Sequence, residues 1–291
     1  MLNSFYPAKV LLLGEYTILN GSKALAFPYA KLCGKWSFEN TDSENCLHSK
    51  ESLRSFLRNQ TGPEINIQKM QSELEKGLWF DSDIPQGYGL GSSGAVIAAL
   101  YNRFGKNTSE LVSDRAIMAR LEDHFHGSSS GLDPLVSHIQ KALLIHSFDE
   151  VEILSKPPDL KGFFLLNTGK ARQTGPLVSI YQEKLKDPEF KKGCADVLSK
   201  DVNFAIDALA QGETSNLFHH LWHISKFQWD FFPEMIPTQM RGLWTRGLES
   251  GDYVLKLCGA GGGGFLIGYS SKYDWTQMQS IITTHELRDL K

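Results

Sequence analysis

The chain reads Gly87-Tyr88-Gly89-Leu90-Gly91-Ser92-Ser93-Gly94 at residues 87–94, and this stretch constrains the architecture more than any other. A predicted strand, residues 78–84, precedes it, and the helical spacing of apolar residues begins near Ser92. Glycine permits positive φ and lets a ligand approach the backbone, and the first amides of a helix have no intrahelical acceptor. The stretch therefore predicts an anion site, with phosphate as its usual ligand. A flexible turn with a serine N-cap is the alternative interpretation.

Two common phosphate-binding motifs do not fit the chain. The GxxxxGK[ST] pattern is absent, because Gly105-Lys106 is followed by asparagine and Gly169-Lys170 by alanine, so the P-loop class is excluded. Residues 89–94 do match GxGxxG, but the dinucleotide-binding fingerprint follows directly on a strand of a βαβ unit. Here residues 85–88 intervene, and the first part of the chain is strand-rich. A Rossmann site is therefore disfavoured.

A second glycine cluster, Gly259-Ala260-Gly261-Gly262-Gly263-Gly264, lies between predicted strands at 253–257 and 265–269. A tight hairpin needs only one or two glycines, and additional ones cost conformational entropy on folding. The excess predicts that a ligand or a second backbone segment approaches this cluster closely.

Composition excludes several classes of protein. Hydrophobic residues make up 41% and charged residues 22% of the 291 positions, which is ordinary for a globular chain and excludes a disordered chain, a collagen or a coiled coil. The net charge of −3 argues against a general basic surface for nucleic acid or anionic lipid. The four cysteines form no CxxC pair, and no apolar run approaches the ~20 residues of a membrane span. We expect a cytoplasmic monomer or homodimer without nucleic-acid or membrane partners.

The order of predicted elements favours the α+β class. Apolar runs that read as strands dominate the beginning of the chain, and helical patterns dominate its later part. The double proline at 157–158 predicts a boundary between two domains, residues 1–158 and 159–291.

Three segments of the chain, taken together, resemble the three motifs of the GHMP kinases. They are residues 7–16 (Pro-Ala-Lys-Val-Leu-Leu-Leu-Gly-Glu-Tyr), residues 89–95 and residues 256–264. The resemblance implies an ATP-binding N-terminal domain like domain 2 of ribosomal protein S5 and a ferredoxin-like C-terminal domain. It also implies transfer of phosphate from MgATP to a small-molecule alcohol. By this resemblance the nucleotide would contact Gly87, Gly89, Leu90, Gly91, Ser92, Ser93 and Gly94, and Gly261 and Gly262 would close over its phosphates.

A fourth segment, residues 122–133, resembles the E-x3-H-G-x-x-S-G-x-D stretch of the mevalonate-kinase branch. This likeness implies that Asp133 is the catalytic base and Lys9 its charged neighbour. It also implies that Glu122 and Ser93 are ligands of Mg²⁺. The residues implied on the acceptor side are Glu15, Tyr16 and Thr174. The implied reaction converts mevalonate to 5-phosphomevalonate in isoprenoid biosynthesis.

Departures from the branch pattern leave alternatives open for the acceptor. Residues 14–16 read G-E-Y where mevalonate kinases typically read G-E-H, and G-E-Y is closer to phosphomevalonate kinases. A phosphorylated acceptor would require an extra basic cluster, for which Lys170 and Arg172 are candidates. Gly94 stands where alanine is common. Another GHMP small-molecule kinase is a further alternative, and a non-catalytic nucleotide-binding sensor is the alternative from a different class.

Each residue selected above also has an ordinary structural interpretation. Lys9 could be a solvent-exposed lysine on an edge strand, Asp133 a turn residue and Glu122 a solvated helix residue. The pair His219 and His223 has the i, i+4 spacing of metal ligands but no accompanying third ligand, so a surface helix face is the simpler interpretation. For Lys9, Asp133 and Glu122 the joint pattern favours a functional role.

Overall fold

The computed structural model describes residues 4–39, 41–59, 63–106, 110–126, 129–147, 149–172, 175–272 and 286–290, together with 274, 276, 278–279 and 282. The α-helices are α1 (Glu44–Asn59), α2 (Ile67–Glu75), α3 (Ser92–Phe104), α4 (Leu111–His126), α5 (Leu132–Ile139), α6 (Gly175–Lys184), α7 (Pro188–Gly193), α8 (Ser199–Gln211), α9 (Leu217–Phe231) and α10 (Arg241–Ser250). The strands are β1 (Phe5–Leu13), β2 (Ala24–Ser37), β3 (Trp79–Ser82), β4 (Leu143–Ile145), β5 (Val151–Ile153), β6 (Phe163–Asn167), β7 (Val254–Leu257), β8 (Phe265–Tyr269) and β9 (Leu287–Asp289). This mixture confirms the α+β class.

The chain forms two compact units. The first unit comprises Met1–Lys9, Phe27–Pro85 and Leu90–Lys141, and the second comprises Val10–Ala26, Gln86–Gly89 and Ala142–Lys291. The boundary at residue 158 stays a prediction about the domains.

In the first unit, the framework of the site is formed by the N-terminal strands, β1 to β3, and by three helices, α3 to α5. Strand β2 pairs antiparallel with β3, with Gly34 opposite Ser82 and Ser37 opposite Trp79. Helix α3 packs against α4 and α5, and its apolar residues are buried there, as the sequence pattern predicts. The sequence analysis did not predict α5, because its eight residues are too few for a clear helical period.

In the second unit, β6 to β9 form a four-stranded antiparallel sheet with the order β7-β8-β6-β9. Numbered along the chain from β6, this is the 4-1-3-2 order of a ferredoxin-like sheet. Helix α9 packs against β7, and α8 packs against α9. The first residues of β2 pair with β4, and β4 pairs with β5. After β8 the described residues 276, 278 and 279 are helical, as the helical patterns of the later part of the chain predict, and strand β9 follows them.

The buried residues of both units are mostly aliphatic and aromatic side chains, which form the cores around these sheets and helices. Among the residues that the structure describes, no helix combines the length and the apolar character required to cross a membrane.

Gly94 is the position at which the packing of α3 against α5 allows no side chain. A Cβ atom added at this residue would lie 2.8 Å from the backbone carbon and the Cβ atom of Asp133, and 2.8 Å from the nitrogen of Pro134. Contacts this short require the backbone of α5 to move. The glycine therefore lets the helix that carries Asp133 lie directly against the first turn of α3.

Substituting Gly94→Ala should lower the free energy of unfolding by about 1–3 kcal/mol, because the added methyl group overpacks the contact between α3 and α5. Urea denaturation would measure the loss. The matched control is Gly242→Ala in α10, where an added Cβ meets nothing within 4 Å. That variant should keep or slightly raise stability. Equal effects at both positions would contradict the packing argument.

Candidate active site

The first unit brings Lys9 and Asp133 together as an ion pair. Lys9 lies in β1 with 5% of its surface exposed, and its Nζ is 2.7 Å from Oδ1 of Asp133 in the first turn of α5. A buried lysine needs a partner for its charge, so this lysine does not act as a solvent-exposed edge residue. The Asp133 side chain keeps 33% of its surface exposed, which leaves the carboxylate accessible to a small molecule.

The loop before α3 lies against this ion pair. The backbone N–H of Lys9 donates to the carbonyl of Leu90 at 2.8 Å. A Cβ atom at Gly91 would be 3.3 Å from Oδ2 of Asp133 and 3.4 Å from Cβ of Lys9. The backbone of residues 90–91, the ammonium group and the carboxylate therefore meet within one unit.

Helix α3 begins at Ser92 without a side-chain cap. Its N-cap residue is Gly91, whose φ of 70° is left-handed and which has no side chain to cap the first turn. The serine N-cap of the alternative interpretation is therefore not formed. An uncapped helix N-terminus presents N–H groups and a partial positive charge, the arrangement that binds anions.

Glu122 is a buried carboxylate held by two serines. It projects from α4 with 4% of its surface exposed, and Oε1 accepts a hydrogen bond from Oγ of Ser93 at 2.9 Å. Ser129 Oγ donates to Oε2, and the backbone N–H of Gly131 donates to the same serine oxygen. Burial, reinforced by the charge of Asp133, raises the pKa of Glu122 from its ordinary 4.5 to about 7. Two nearby carboxylates thus share this site, as they do where a cation binds between them.

The second unit encloses Glu15 and Tyr16 in protein contacts. Glu15 Oε1 lies 2.7 Å from Nζ of Lys256 and accepts a hydrogen bond of 2.7 Å from Nε2 of Gln228. Burial raises the pKa of Glu15, and the positive charge of Lys256 opposes that shift. The Tyr16 hydroxyl donates to the carbonyl of Ala260 at 2.6 Å. Both residues are buried, so their predicted contact with a substrate remains a prediction without an exposed face to support it.

The glycine cluster 259–264 is packed against other backbone segments of the second unit. The Gly262 N–H donates to the carbonyl of Met235 and the Gly264 N–H to that of Lys170, each at 2.6 Å. A Cβ atom at Gly261 would lie 2.6 Å from the Met235 oxygen. The predicted close approach of a second backbone is confirmed at these positions. The predicted contacts of Gly261 and Gly262 with a nucleotide stay a prediction.

Arg172 lies beside two glycine segments of the second unit, residues 87–89 and the cluster 259–264. Its backbone N–H donates to the carbonyl of Gly87 at 3.0 Å. A Cβ atom at Gly89 would be 2.6 Å from Nη2 of this arginine, and one at Gly259 would be 3.0 Å from it. Of the two basic residues named from the sequence, this one brings its charged group to both glycine segments. Thr174 falls outside the described residues.

The histidines of α9 form a surface cluster. His220 Nδ1 and His223 Nδ1 lie 2.8 Å and 3.3 Å from carboxylate oxygens of Asp201. The rings of His219 and His223 are in contact, with centroids 4.2 Å apart and a tilt of 57° between their planes. In the described part of the chain, no three histidine, cysteine or acidic side chains are arranged to hold a metal ion.

Four residues of these networks were not singled out in the sequence for the roles they have here. Ser129 belongs to a loop of small residues, and Lys256 begins the third motif, so their positions offered a weak signal. Gln228 and Met235 offered none, because their contacts are formed only when distant segments meet.

The chain is similar in sequence and in fold to known kinases. Residues 52–139 match the family described as the GHMP kinases N terminal domain. A relative named mevalonate kinase, from Archaeoglobus fulgidus, is 28% identical over 222 residues, which are 70% of this chain and 69% of the relative. The crystal structure of L. major mevalonate kinase in complex with R-mevalonate has a TM-score of 0.67 at 15% identity, covering 96% of this chain and 89% of that chain.

A second solved structure with a similar fold is Streptococcus pneumoniae phosphomevalonate kinase in complex with phosphomevalonate and AMPPNP. Its TM-score is 0.65 at 15% identity, and the match covers 97% of this chain and 95% of that chain. At such identities the structural matches demonstrate the fold, and they extend over nearly the whole chain.

The raised pKa of Glu122 predicts a specific dependence of stability on pH. Between about pH 4.5 and pH 7 the folded protein retains a proton at Glu122 that the unfolded chain has lost, so stability falls as the pH rises through this window. The Glu122→Gln variant should lack this contribution and gain on the order of 3 kcal/mol relative to wild type by pH 8.

Urea denaturation from pH 4 to pH 8, with a chelator present, would measure the difference between the two proteins. The exposed carboxylate of Glu213 provides the control, since Glu213→Gln should leave the pH profile of wild type unchanged. Parallel profiles for wild type and Glu122→Gln would contradict the assignment.

Proposed function

We propose that this chain is a small-molecule kinase of the GHMP type, since residues 52–139 match the GHMP kinases N terminal domain, and that it transfers the γ-phosphoryl group of ATP to the hydroxyl of mevalonate. The product would be 5-phosphomevalonate, an intermediate of isoprenoid biosynthesis. The ion pair between Lys9 and Asp133, which lies against the uncapped N-terminus of α3, carries this proposal.

Asp133 would act as the catalytic base. An alcohol becomes an effective nucleophile when its proton is accepted in the transition state. Because Oδ1 of this carboxylate contacts Lys9, we assign the proton to Oδ2. As the acceptor oxygen bonds to phosphorus, its proton passes to Asp133 and the bond from the γ-phosphorus to the bridging oxygen breaks. ADP and a phosphate ester are then the products, and the proton of the alcohol is on Asp133.

Lys9 would keep the Asp133 carboxylate oriented. Its ammonium group is buried, so the interaction with the carboxylate is screened less than a surface pair would be. The same positive charge would offset negative charge on the phosphoryl group during transfer. A nucleotide sensor would require neither a base nor a lysine buried beside it, which argues against the non-catalytic alternative.

Ser93 and Glu122 form a donor set that fits Mg²⁺. This ion prefers oxygen ligands and keeps several waters, so a hydroxyl and a carboxylate suffice alongside the phosphates of the nucleotide. Oγ of Ser93 and Oε1 of Glu122 are 2.9 Å apart, close to the roughly 3 Å between neighbouring ligands of an octahedral magnesium ion. When bound, Mg²⁺ would neutralise phosphate charge and hold Glu122 in its ionised form.

The nucleotide phosphates would lie at the N-terminus of α3. Its first turn supplies the amides of Ser92, Ser93 and Gly94, which a helix leaves without intrahelical acceptors. The preceding residues Leu90 and Gly91 would line the approach. By the resemblance to the kinase motifs, Gly87, Gly89, Gly261 and Gly262 would also contact the nucleotide.

Mevalonate is the preferred acceptor because relatives that match most of this chain carry the name mevalonate kinase. Phosphomevalonate is the second candidate. The G-E-Y sequence at residues 14–16 and the Arg172 guanidinium beside Gly89 and Gly259 favour it, since an arginine at glycine-lined backbone suits a phosphate group.

ADP release with MgATP should be measured in parallel against mevalonate, 5-phosphomevalonate, homoserine and galactose. The proposal expects the highest kcat/KM with mevalonate. A higher kcat/KM with 5-phosphomevalonate would instead identify phosphomevalonate as the acceptor. ATP binding without turnover on any of the four would contradict the proposed reaction.

With the accepted substrate, Asp133→Asn should lower kcat by about 10²- to 10⁴-fold, because the amide cannot accept the proton. The dissociation constant for MgATP should change by less than about threefold, since the variant keeps the shape of the side chain. Asp207→Asn is the matched control, because Asp207 forms an aspartate–lysine pair with Lys23 elsewhere in the chain. Its kcat should equal that of wild type. Retained turnover in Asp133→Asn would remove Asp133 from the role of base.

The magnesium assignment predicts that Ser93→Ala will need more Mg²⁺. Loss of the hydroxyl ligand should raise the Mg²⁺ concentration for half-maximal activity by about tenfold or more. A titration of activity with Mg²⁺ at saturating ATP would measure this. Ser113→Ala on α4 is the control, because this half-buried serine also donates a hydrogen bond to a glutamate, Glu110. Identical titrations of all three proteins would contradict a ligand role for Ser93.

A further inference from the structure

Tyr16 is connected to the glycine cluster 259–264 by one short hydrogen bond. Its hydroxyl donates to the carbonyl of Ala260 at 2.6 Å, across 244 positions of sequence and within the second unit. Tyr16 is 5% exposed. Its ring packs on those of Tyr181 and Phe232, with centroids 4.6 Å and 5.5 Å away. The side chain therefore has a fixed position, and its hydroxyl already donates a hydrogen bond within the protein.

The backbone at Tyr16 adopts a conformation that a tyrosine rarely takes. Its φ of 64° is positive, a region that Cβ-bearing residues avoid. Such a conformation persists only where the surrounding contacts determine it. The side chain of Tyr16 contacts the aromatic cluster and the Ala260 carbonyl, and its own carbonyl accepts from the N–H of Leu19, so these interactions together offset the strain.

The residue before Tyr16 is held just as firmly. Glu15 contacts Lys256 Nζ and Gln228 Nε2. Both partners also bind Leu257 of β7: Nζ of Lys256 donates to the Leu257 carbonyl at 2.7 Å, and the Leu257 N–H donates to Gln228 Oε1 at 2.9 Å. Lys256 and Leu257 lead directly into the glycine cluster. The Glu15-Tyr16 dipeptide thus holds the strand that enters the cluster and the second residue of the cluster itself.

The hydrogen bond at Ala260 sets the direction of the next amide. In a trans peptide the carbonyl and the following N–H point in opposite directions, so fixing the Ala260 carbonyl fixes the N–H of Gly261. Gly261 has a φ of 74° and belongs to a cluster of glycines that could otherwise adopt many conformations. A donor to the carbonyl also polarises the peptide group, which makes its N–H a better donor to an anion.

We propose that Tyr16 is a positioning residue that orients the Gly261 N–H toward a phosphate of the nucleotide, and that it does not contact the acceptor. This inference rests on the proposed function, in which Gly261 serves ATP. Burial raises the pKa of Tyr16, so the hydroxyl remains protonated and remains a donor at neutral pH. A residue on the acceptor side would instead need an exposed polar group, which Tyr16 lacks.

The two roles predict different kinetics for Tyr16→Phe, a substitution that removes one oxygen atom and keeps the ring. If Tyr16 orients Gly261, the KM for ATP should rise by about two- to tenfold, while kcat and the KM for the acceptor stay within about twofold of wild type. If Tyr16 contacts the acceptor, the KM for the acceptor should rise and that for ATP should not.

Hydrogen exchange of the peptide covering 258–264 supplies a readout that does not depend on turnover. Removal of the Ala260 contact should speed amide exchange in this peptide by about fivefold or more, because the glycine backbone gains conformations. The matched control is Tyr181→Phe, which removes a hydroxyl bonded to Asn20 within the same aromatic cluster. It should leave both the exchange of 258–264 and the KM for ATP unchanged.

The outcomes separate this inference from the proposed function. An unchanged KM for ATP in an active Tyr16→Phe enzyme overturns the positioning role and leaves the kinase assignment intact. Equal effects of Tyr16→Phe and Tyr181→Phe also overturn it, because they would reflect loss of the aromatic cluster alone. If wild type turns over none of the four acceptors, the proposed function fails. Faster amide exchange of the peptide 258–264 in Tyr16→Phe, and not in Tyr181→Phe, would then still support the hydrogen bond from Tyr16 as the contact that orders the cluster.

Discussion

The burial of the Lys9 ammonium group is the constraint from which the candidate site follows. A charged amine inside a protein is tolerated when a carboxylate neutralises it, and Asp133 lies 2.7 Å away. That partner is carried by α5, which can approach only because Gly94 in α3 has no side chain. The same contact brings the first turn of α3 beside the carboxylate. One electrostatic requirement thus couples strand β1, helices α3 and α5 and the N-terminus of α3 in a single compact unit.

The ion pair of Lys9 and Asp133 also affects the pKa of the neighbouring carboxyl group, Glu122. Glu122 lies in the field of Asp133 and is itself buried, so its pKa rises to about 7 while two serine hydroxyls hold its oxygens. Like charges in a poorly solvated site favour a proton or a cation between them. A divalent ion that binds Glu122 and Ser93 would remove this electrostatic conflict. The repulsion between Glu122 and Asp133 in the free protein would therefore favour the binding of a divalent ion at this site.

In the second unit, the physical requirement is that a glycine-rich segment, residues 259–264, adopts one conformation. Glycine backbone is flexible, and an amide that binds phosphate is useful only when its direction is set in advance. Here other backbone carbonyls accept from the amides of Gly262 and Gly264, and the hydroxyl of Tyr16 donates to Ala260. The buried network of Glu15, Lys256 and Gln228 supports the strand before the cluster. Rigidity is supplied by side chains from elsewhere in the chain.

The sequence alone determined the α+β class, the two glycine clusters, the resemblance to kinase motifs and the identities of Lys9, Ser93, Glu122 and Asp133. These follow from local patterns: helical and strand periods, glycine spacing and short motifs. Helix α5, strand β9, the partners Lys256 and Gln228 and the burial of Tyr16 were decided only by the tertiary structure. Their physical basis is long-range: Tyr16 meets a carbonyl 244 residues away, and Glu15 meets an amide 213 residues away. Burial, the pKa of Glu122 and the direction of a peptide group depend on which distant segments pack together, and no local pattern encodes that.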